Sequence, residues 1–233
     1  MEICKDAVVK GIGTPEAGEL ALINALARRE LGAEEVYTFA LRLCDNDVDR
    51  DFERFDDDTL DELAPMFVGV SGVFDHQWSA RGQTARIYRT EVVGGDGTLT
   101  TDGRPDRFLK GWAYMMRTEE NASLIAEIDG GIKREVSVGC AVERVVCSIC
   151  GQELDSCPHE KGEEYDGQVC HGVLTGAADA YEWSFVAVPA QRKAGVIKSA
   201  GRRLEDEARL GRKYLKGLRH EMVRLAGIAE PGA

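Results

Sequence analysis

The sequence predicts an α+β chain, a mixed or antiparallel β-barrel with peripheral helices and a small Cys/His insert. Several segments place apolar residues at the strand period of two. The clearest is residues 135–142, where Val136, Val138 and Cys140 alternate with the rest. Helical segments are few and do not alternate with strands in β-α-β repeats, which disfavours a doubly wound parallel sheet. The chain has 233 residues, 43% of them hydrophobic, enough for one sizeable core, so one main domain with appendages is expected.

Taken in order, Thr14 and Pro15 suit an N-cap and a first helical position. Leu20, Ile23, Ala27 and Leu31 then mark one helical face, and Gly32 ends it. Residues 1–34 therefore read as an N-terminal helical extension ahead of a main domain at 35–198. Residues 36–43 read as a strand, broken by an acidic stretch from Asp45. Asp45, Asp47 and Asp49 resemble the opening of a calcium loop, but Arg50 stands where that loop needs glycine and Asp56 where it needs glutamate. A solvated turn is expected there instead. A short helix follows at 59–63, a strand at 67–76 that delivers His76, and another strand at 85–93. The glycine-rich run 94–105 predicts a mobile loop. Residues 108–116 read as a strand rich in aromatics. Thr118 caps a helix to about Ile128, stopped by Gly130 and Gly131.

Three segments carry the candidate chemistry: Asp75-His76, Val136-Ser137-Val138-Gly139, and Glu182-Trp183-Ser184-Phe185-Val186-Ala187-Val188-Pro189-Ala190. Each sets polar side chains in or beside an apolar stretch, where an unpaired polar group is costly. A serine hydroxyl is a poor nucleophile unless an imidazole takes its proton and a third group orients that imidazole, so the order His, Ser, acid points to a triad. Strand alternation puts Ser137 and Gly139 on one face, and the glycine leaves space beside the hydroxyl. No G-x-S-x-G surrounds Ser137, which excludes the nucleophile elbow of the α/β hydrolases.

Together with the Asp-rich stretch 45–51, these blocks resemble the prohead maturation proteases of tailed bacteriophages, whose fold is similar to that of the herpesvirus capsid protease, assemblin. The resemblance covers about residues 36–198. It implies an assemblin-like barrel, His76 as general base and Ser137 as nucleophile. Glu182 would be the third member, with Asp179 as its substitute, and Arg192 would help to stabilise the oxyanion. It also implies a serine endopeptidase acting in the host cytoplasm, inside the prohead, on the scaffold protein, the N-terminal segment of the major capsid protein and itself. Self-association is a further expectation from the resemblance. The alternative reading is a non-enzymatic, zinc-bearing capsid assembly or scaffolding protein.

Four of the seven cysteines cluster between 147 and 170: Cys147, Cys150, Cys157 and Cys170, with His159 among them. A C-x-x-C pair sets two thiolates on one side of a tight turn, which Gly151 permits, and Cys157 and His159 can complete a tetrahedral site. Zinc is the expected metal, in a structural role, because thiolate with imidazole selects a borderline-soft ion. Five candidate ligands for four places leave Cys170 able to replace Cys157 or His159. The insert spans 147–171, and a metal would pin a segment too polar to form a core by itself.

The formal net charge of −12 argues against wrapping nucleic acid. The insert holds Glu153, Asp155, Glu160, Glu163, Glu164 and Asp166 against Lys161 alone, which disfavours a nucleic-acid adaptor. No apolar run is long enough to span a bilayer, and residues 1–6 lack a signal-peptide pattern, so a soluble chain in a reducing cytoplasm is expected. The segment 199–233 reads as a basic helical tail, with nine basic and four acidic residues between Lys198 and Arg224. It would either dock on the acidic body as a surface helix, or bind capsid or scaffold protein, or cover the active site until cleaved.

Overall fold

The computed structural model describes residues 13–197. The expected basic tail at 199–233 lies outside the described residues. The elements in chain order are α1 (Ala17–Leu26), β1 (Val36–Asp45), β2 (Glu53–Phe55), α2 (Asp57–Met66), β3 (Ser71–Phe74), β4 (Ala85–Leu99), β5 (Pro105–Met116), α3 (Glu119–Asp129), β6 (Val136–Cys147), β7 (Glu164–Tyr165), β8 (Gln168–Val169), β9 (Gly172–Phe185) and β10 (Gly195–Ile197). The chain is thus a mixed α+β protein with a mostly β architecture. Among the described residues no helix is long and apolar enough to cross a membrane.

One eight-stranded sheet runs β10-β1-β5-β4-β3-β9-β2, with β6 also paired to β9, while β7 and β8 form a separate hairpin. The pairings are antiparallel except where β2 and β3 meet β9 in parallel. The expected closed barrel is not found. Between the β6 and β10 sides there is one isolated bridge, Glu135 to Gly195, with the Val196 N–H donating to the Arg134 carbonyl at 2.7 Å. Strand β10 is only three residues long, too short for a ladder across that gap.

Side chains alternating along the strands build the core. Tyr37, Phe39, Leu41 and Leu43 of β1 face it, with Trp183 and Phe185 of β9. Phe39 lies edge-on to Trp183 at 6.0 Å, and Trp183 is edge-on to Phe185 at 5.3 Å, geometries that suit the ring quadrupoles. Helix α2 adds Leu60 and Leu63, and α3 adds Leu124, Ile125 and Ile128. Thr118 caps α3 as the sequence predicts, its hydroxyl accepting from the Asn121 N–H at 3.2 Å, and Gly130 and Gly131 close the helix.

Close packing has a consequence at Gly72 of β3, which pairs with Trp183. A Cβ there would lie 2.3 Å from a carbon of the buried Trp183 ring. Gly72→Ala is therefore expected to lower stability by about 1–3 kcal/mol, the usual cost of overpacking, read as a shift in the urea midpoint.

Four further expectations need correction. Helix α1 starts at Ala17 with Glu16 as N-cap and stops at Leu26, short of Gly32. The Asn24 side chain turns the chain by bonding both the N–H and the carbonyl of Leu31, at 2.9 and 3.2 Å. The strand carrying His76 ends at Phe74, which leaves the histidine in a turn. The run 94–105 is not a loose loop, because β4 continues to Leu99 and Leu99 pairs with Pro105 of β5.

The acidic stretch, fourth, is buried at its start rather than solvated throughout: Asp45, Asn46 and Asp47 are 2%, 0% and 8% exposed, whereas Arg50 and Asp51 are exposed. Arg42 donates from Nε to Asp45 and bridges to Asp106 at 2.8 Å. Lys193 binds Asp47 and Asp106 at 3.1 and 3.0 Å. Burial would raise the Asp47 carboxyl, but Thr101, through its N–H and hydroxyl, and Lys193 hold it down at about 2. Gln191 adds a reciprocal pair with the Asp45 backbone, at 2.6 and 2.9 Å. The acids are buried because cations and amides meet them, Arg42 from the same strand and Lys193, Thr101 and Gln191 from distant parts of the chain, and together they tie the segment after β9 to the end of β1.

Candidate active site and metal centre

The candidate active site lies on the face of the sheet opposite the aromatic core. In antiparallel pairing, opposed residues share a face. Ser137 opposes Ser184, and Gly139 opposes Glu182. Across the other edge of β9, Val73 of β3 neighbours Ser184. Ser137, Gly139, Glu182 and Ser184 therefore stand together on β6 and β9.

His76 comes to this patch from the turn after β3. Asp75 and His76 have φ of 50° and 54°, both in the left-handed region. Each such non-glycine residue costs on the order of 1–2 kcal/mol and persists only where its surroundings fix it. Here the Asp75 N–H donates to the Phe185 carbonyl at 3.0 Å, and the His76 N–H donates to Ser184 Oγ at 3.0 Å. The turn thus folds back over β9 and brings His76 Nδ1 within 2.6 Å of Glu182 Oε1. Ser184, wholly buried, donates its own hydroxyl to Glu182 Oε2 at 2.6 Å.

This arrangement has chemical consequences. A carboxylate only accepts hydrogen bonds, so the shared proton sits on Nδ1 and Nε2 is the basic nitrogen of the neutral ring. The Glu182 side chain is 5% exposed and that of His76 44%. The carboxylate is screened while the imidazole stays reachable, which suits a general base held by an orienting acid. A Cβ on Gly139 would fall 2.3 Å from Glu182 Oε1, so the carboxylate leans over β6. His76 bonds to that same oxygen, and Ser137 lies two residues before Gly139 on the same face of β6.

Among the described residues no hydrogen bond joins Ser137 to His76, and none engages the Ser137 hydroxyl. Asp179, the substitute acid, is exposed where bulges interrupt the β6–β9 ladder, and its carboxylate accepts from the Ala180 N–H. Arg192 is exposed. It lines a cavity of about 1100 Å³ beside the Cys/His insert, with Arg54, Arg104 and His171. Ser137 lines a different hollow of about 220 Å³, with Gln191 and Ala194. The structure thus brings His76 and Glu182 into contact and sets Ser137 on the adjoining strand, while Arg192 lines the cavity beside the insert. Sequence reading gave no role to Ser184. Its place two residues after Glu182 on a strand was the available signal, since i and i+2 share a face.

The chain matches no family model, no curated protein and no solved structure. What the site can do therefore rests on its own geometry.

The insert forms a second centre. Cys147, at the end of β6, opens a tight turn in which the Gly151 N–H donates to the Cys147 carbonyl at 2.9 Å and Gly151 has φ 73°. The ligand atoms of Cys147, Cys150, Cys157 and His159 all lie within 4.8 Å of one another. These four residues can hold a metal ion. Cys147 Sγ is 3.6 Å from His159 Nδ1, the edge of about 3.6 Å expected when sulfur and nitrogen surround a tetrahedral ion at their usual bond lengths. Burial raises the Cys147 thiol, but the N–H groups of Cys150 and Ile149 and the neighbouring thiols outweigh it and bring it down to about 6. Cys170 lies 3.8 Å from Cys147 yet falls outside the group of four. No disulfide joins any described cysteine. Beyond the four ligands, Lys161 ties the insert to Glu53 of β2 at 2.6 Å, and His159 packs edge-on against Tyr165 at 4.5 Å.

Proposed function

We propose that the chain is a serine endopeptidase of phage capsid maturation, with Ser137 as nucleophile, His76 as general base and Glu182 as the acid that orients it. The observation that carries this reading is the His76 Nδ1 to Glu182 Oε1 contact of 2.6 Å, which leaves Nε2 as the basic nitrogen, with Ser137 on the same sheet face as Glu182. In the proposed reaction Ser137 Oγ bonds to the peptide carbonyl carbon and its proton passes to His76 Nε2. The imidazolium, steadied by Glu182, gives that proton to the leaving amine as the peptide bond breaks. Water then hydrolyses the ester by the same route. Arg192 is assigned to the oxyanion by the resemblance to prohead proteases alone. Scaffold protein, the N-terminal segment of the major capsid protein and the enzyme itself are the proposed substrates, met at high local concentration inside the prohead. Self-association within the particle, with neither nucleic acid nor membrane as partner, belongs to the same proposal.

For the Cys147, Cys150, Cys157 and His159 group we propose zinc. The closed set of three thiolates and one imidazole suits a structural ion, which would clamp the insert and supply no reacting group.

Glu182→Gln tests the orienting role. The amide can donate to Nδ1, which forces the ring into the tautomer whose Nε2 carries the proton and cannot act as a base. Turnover is expected to fall by about 10⁴-fold, as when an orienting acid is amidated in a serine protease, with the fold retained.

One observation favours the non-enzymatic assembly reading, namely that no hydrogen bond joins Ser137 to His76 among the described residues. Catalytic hydrogen bonds are often long before substrate arrives. Intact-mass analysis separates the two readings. The wild type and Ser137→Ala would each be co-expressed with capsid and scaffold proteins. Discrete truncations in the wild type alone support the protease, and identical full-length masses with normal particles support the assembly protein.

A further inference from the structure

On the far side of Glu182 from Ser137, the same sheet face holds a cleft of about 550 Å³. Its floor is Val73 of β3 and Arg86 of β4, its walls include Val70 and Ala80, and its rim is Trp78 and Tyr181. Glu182 also lines it, so cleft and His76 pair share a wall. Trp78 and Tyr181 are 75% and 46% exposed, and their ring centroids are 5.5 Å apart. Large aromatic surface left in water beside a reactive group marks a binding site more often than a structural one. The strained turn that delivers His76 also delivers Trp78 two residues later, so one backbone feature sets both. The Arg86 guanidinium donates to the Gly69 carbonyl, and the Ser71 hydroxyl is taken up by Gln83 at 3.3 Å. With those polar groups engaged, the surface offered is mainly apolar.

We propose that this cleft takes an apolar side chain, aromatic or large aliphatic, of the peptide that the site acts on. The inference rests on the endopeptidase reading. The step from β6 across β9 to β3 is two strand spacings, about 10 Å, or about three residues of extended peptide. The preference is thus expressed about three residues from the cleaved bond.

The test reads binding rather than cleavage. The chain has three tryptophans. Trp112 and Trp183 are 4% and 0% exposed, so Trp78 carries the solvent-sensitive emission. Full-length Ser137→Ala would be titrated with capped pentapeptides bearing Phe, Leu, Glu or Lys at the centre of an alanine frame. The expected result is a saturable blue shift with Phe and Leu, and affinity about tenfold weaker with Glu and Lys, the factor that burying an apolar side chain supplies. Trp78→Ala should remove the signal, and Tyr181→Ala should weaken binding by about fivefold. No saturable shift with any peptide, or equal affinity for charged and apolar ones, would overturn the proposal. Binding without cleavage in the assembled particle would remove the protease reading and leave the cleft as an apolar-peptide site. Cleavage without binding here would remove the cleft alone.

Discussion

Ser137→Ala is expected to abolish cleavage, by about a million-fold in turnover, while leaving the fold as it is. Removing a serine nucleophile costs about as much as removing its whole triad, because the remaining groups have nothing to activate. Stability should change by less than about 0.5 kcal/mol, because the hydroxyl makes no hydrogen bond among the described residues. Ser184→Ala is the contrasting variant. Its hydroxyl is wholly buried, donates to Glu182 and accepts from the His76 N–H. Its loss leaves a donor and an acceptor unpaired, at about 1–3 kcal/mol each, and frees the strained turn that carries His76. The two serines oppose each other in the ladder, yet one variant should be stable and inactive and the other destabilised. Melting curves and turnover measured on both variants check this, and a stable, fully active Ser137→Ala would contradict it.

Metal removal is the second large effect. The insert from Cys147 to the start of β9 has little core of its own, since its hairpin strands β7 and β8 are two residues each and mostly exposed. Structural zinc contributes about 10–16 kcal/mol to the folding of small zinc modules, far more than this segment's other contacts. Chelation at neutral pH should therefore unfold the insert while the large sheet, with its separate core, remains. Hydrogen exchange would show protection lost across residues 148–171 and retained in β1, β5 and β9. Cys147→Ser should reproduce the pattern without chelator. Unchanged exchange in the insert after chelation would refute a structural ion.

The sequence made much of this legible where local chemistry decides structure. The strand at β6 followed from the alternation of Val136, Val138 and Cys140. Helix α3 followed from Thr118 and the paired glycines, and the metal group from the C-x-x-C turn. The pairing of His76 with Glu182 joins residues 106 apart in the chain, one in the turn after β3 and the other on β9. It was reachable only through the resemblance, because nothing local predicts which strands adjoin. The acidic stretch at 45–51 misled for a related reason. A run of aspartates reads as solvated unless cations reach it, and here Arg42 lies only three residues before Asp45 while Lys193 comes from a segment near the end of the described chain. The Trp78 cleft was hidden because its meaning depends on the left-handed turn at Asp75 and His76, residue types that tolerate that region without requiring it.

The most direct test of the central claim is covalent trapping of the nucleophile. Particles assembled by co-expression would be treated with a fluorophosphonate, which phosphonylates an activated serine with loss of fluoride, and the adduct mapped by peptide mass. The account predicts one adduct, on Ser137, lost in His76→Ala and reduced in Glu182→Gln. No adduct, or one on another serine with Ser137 unmodified, would contradict it.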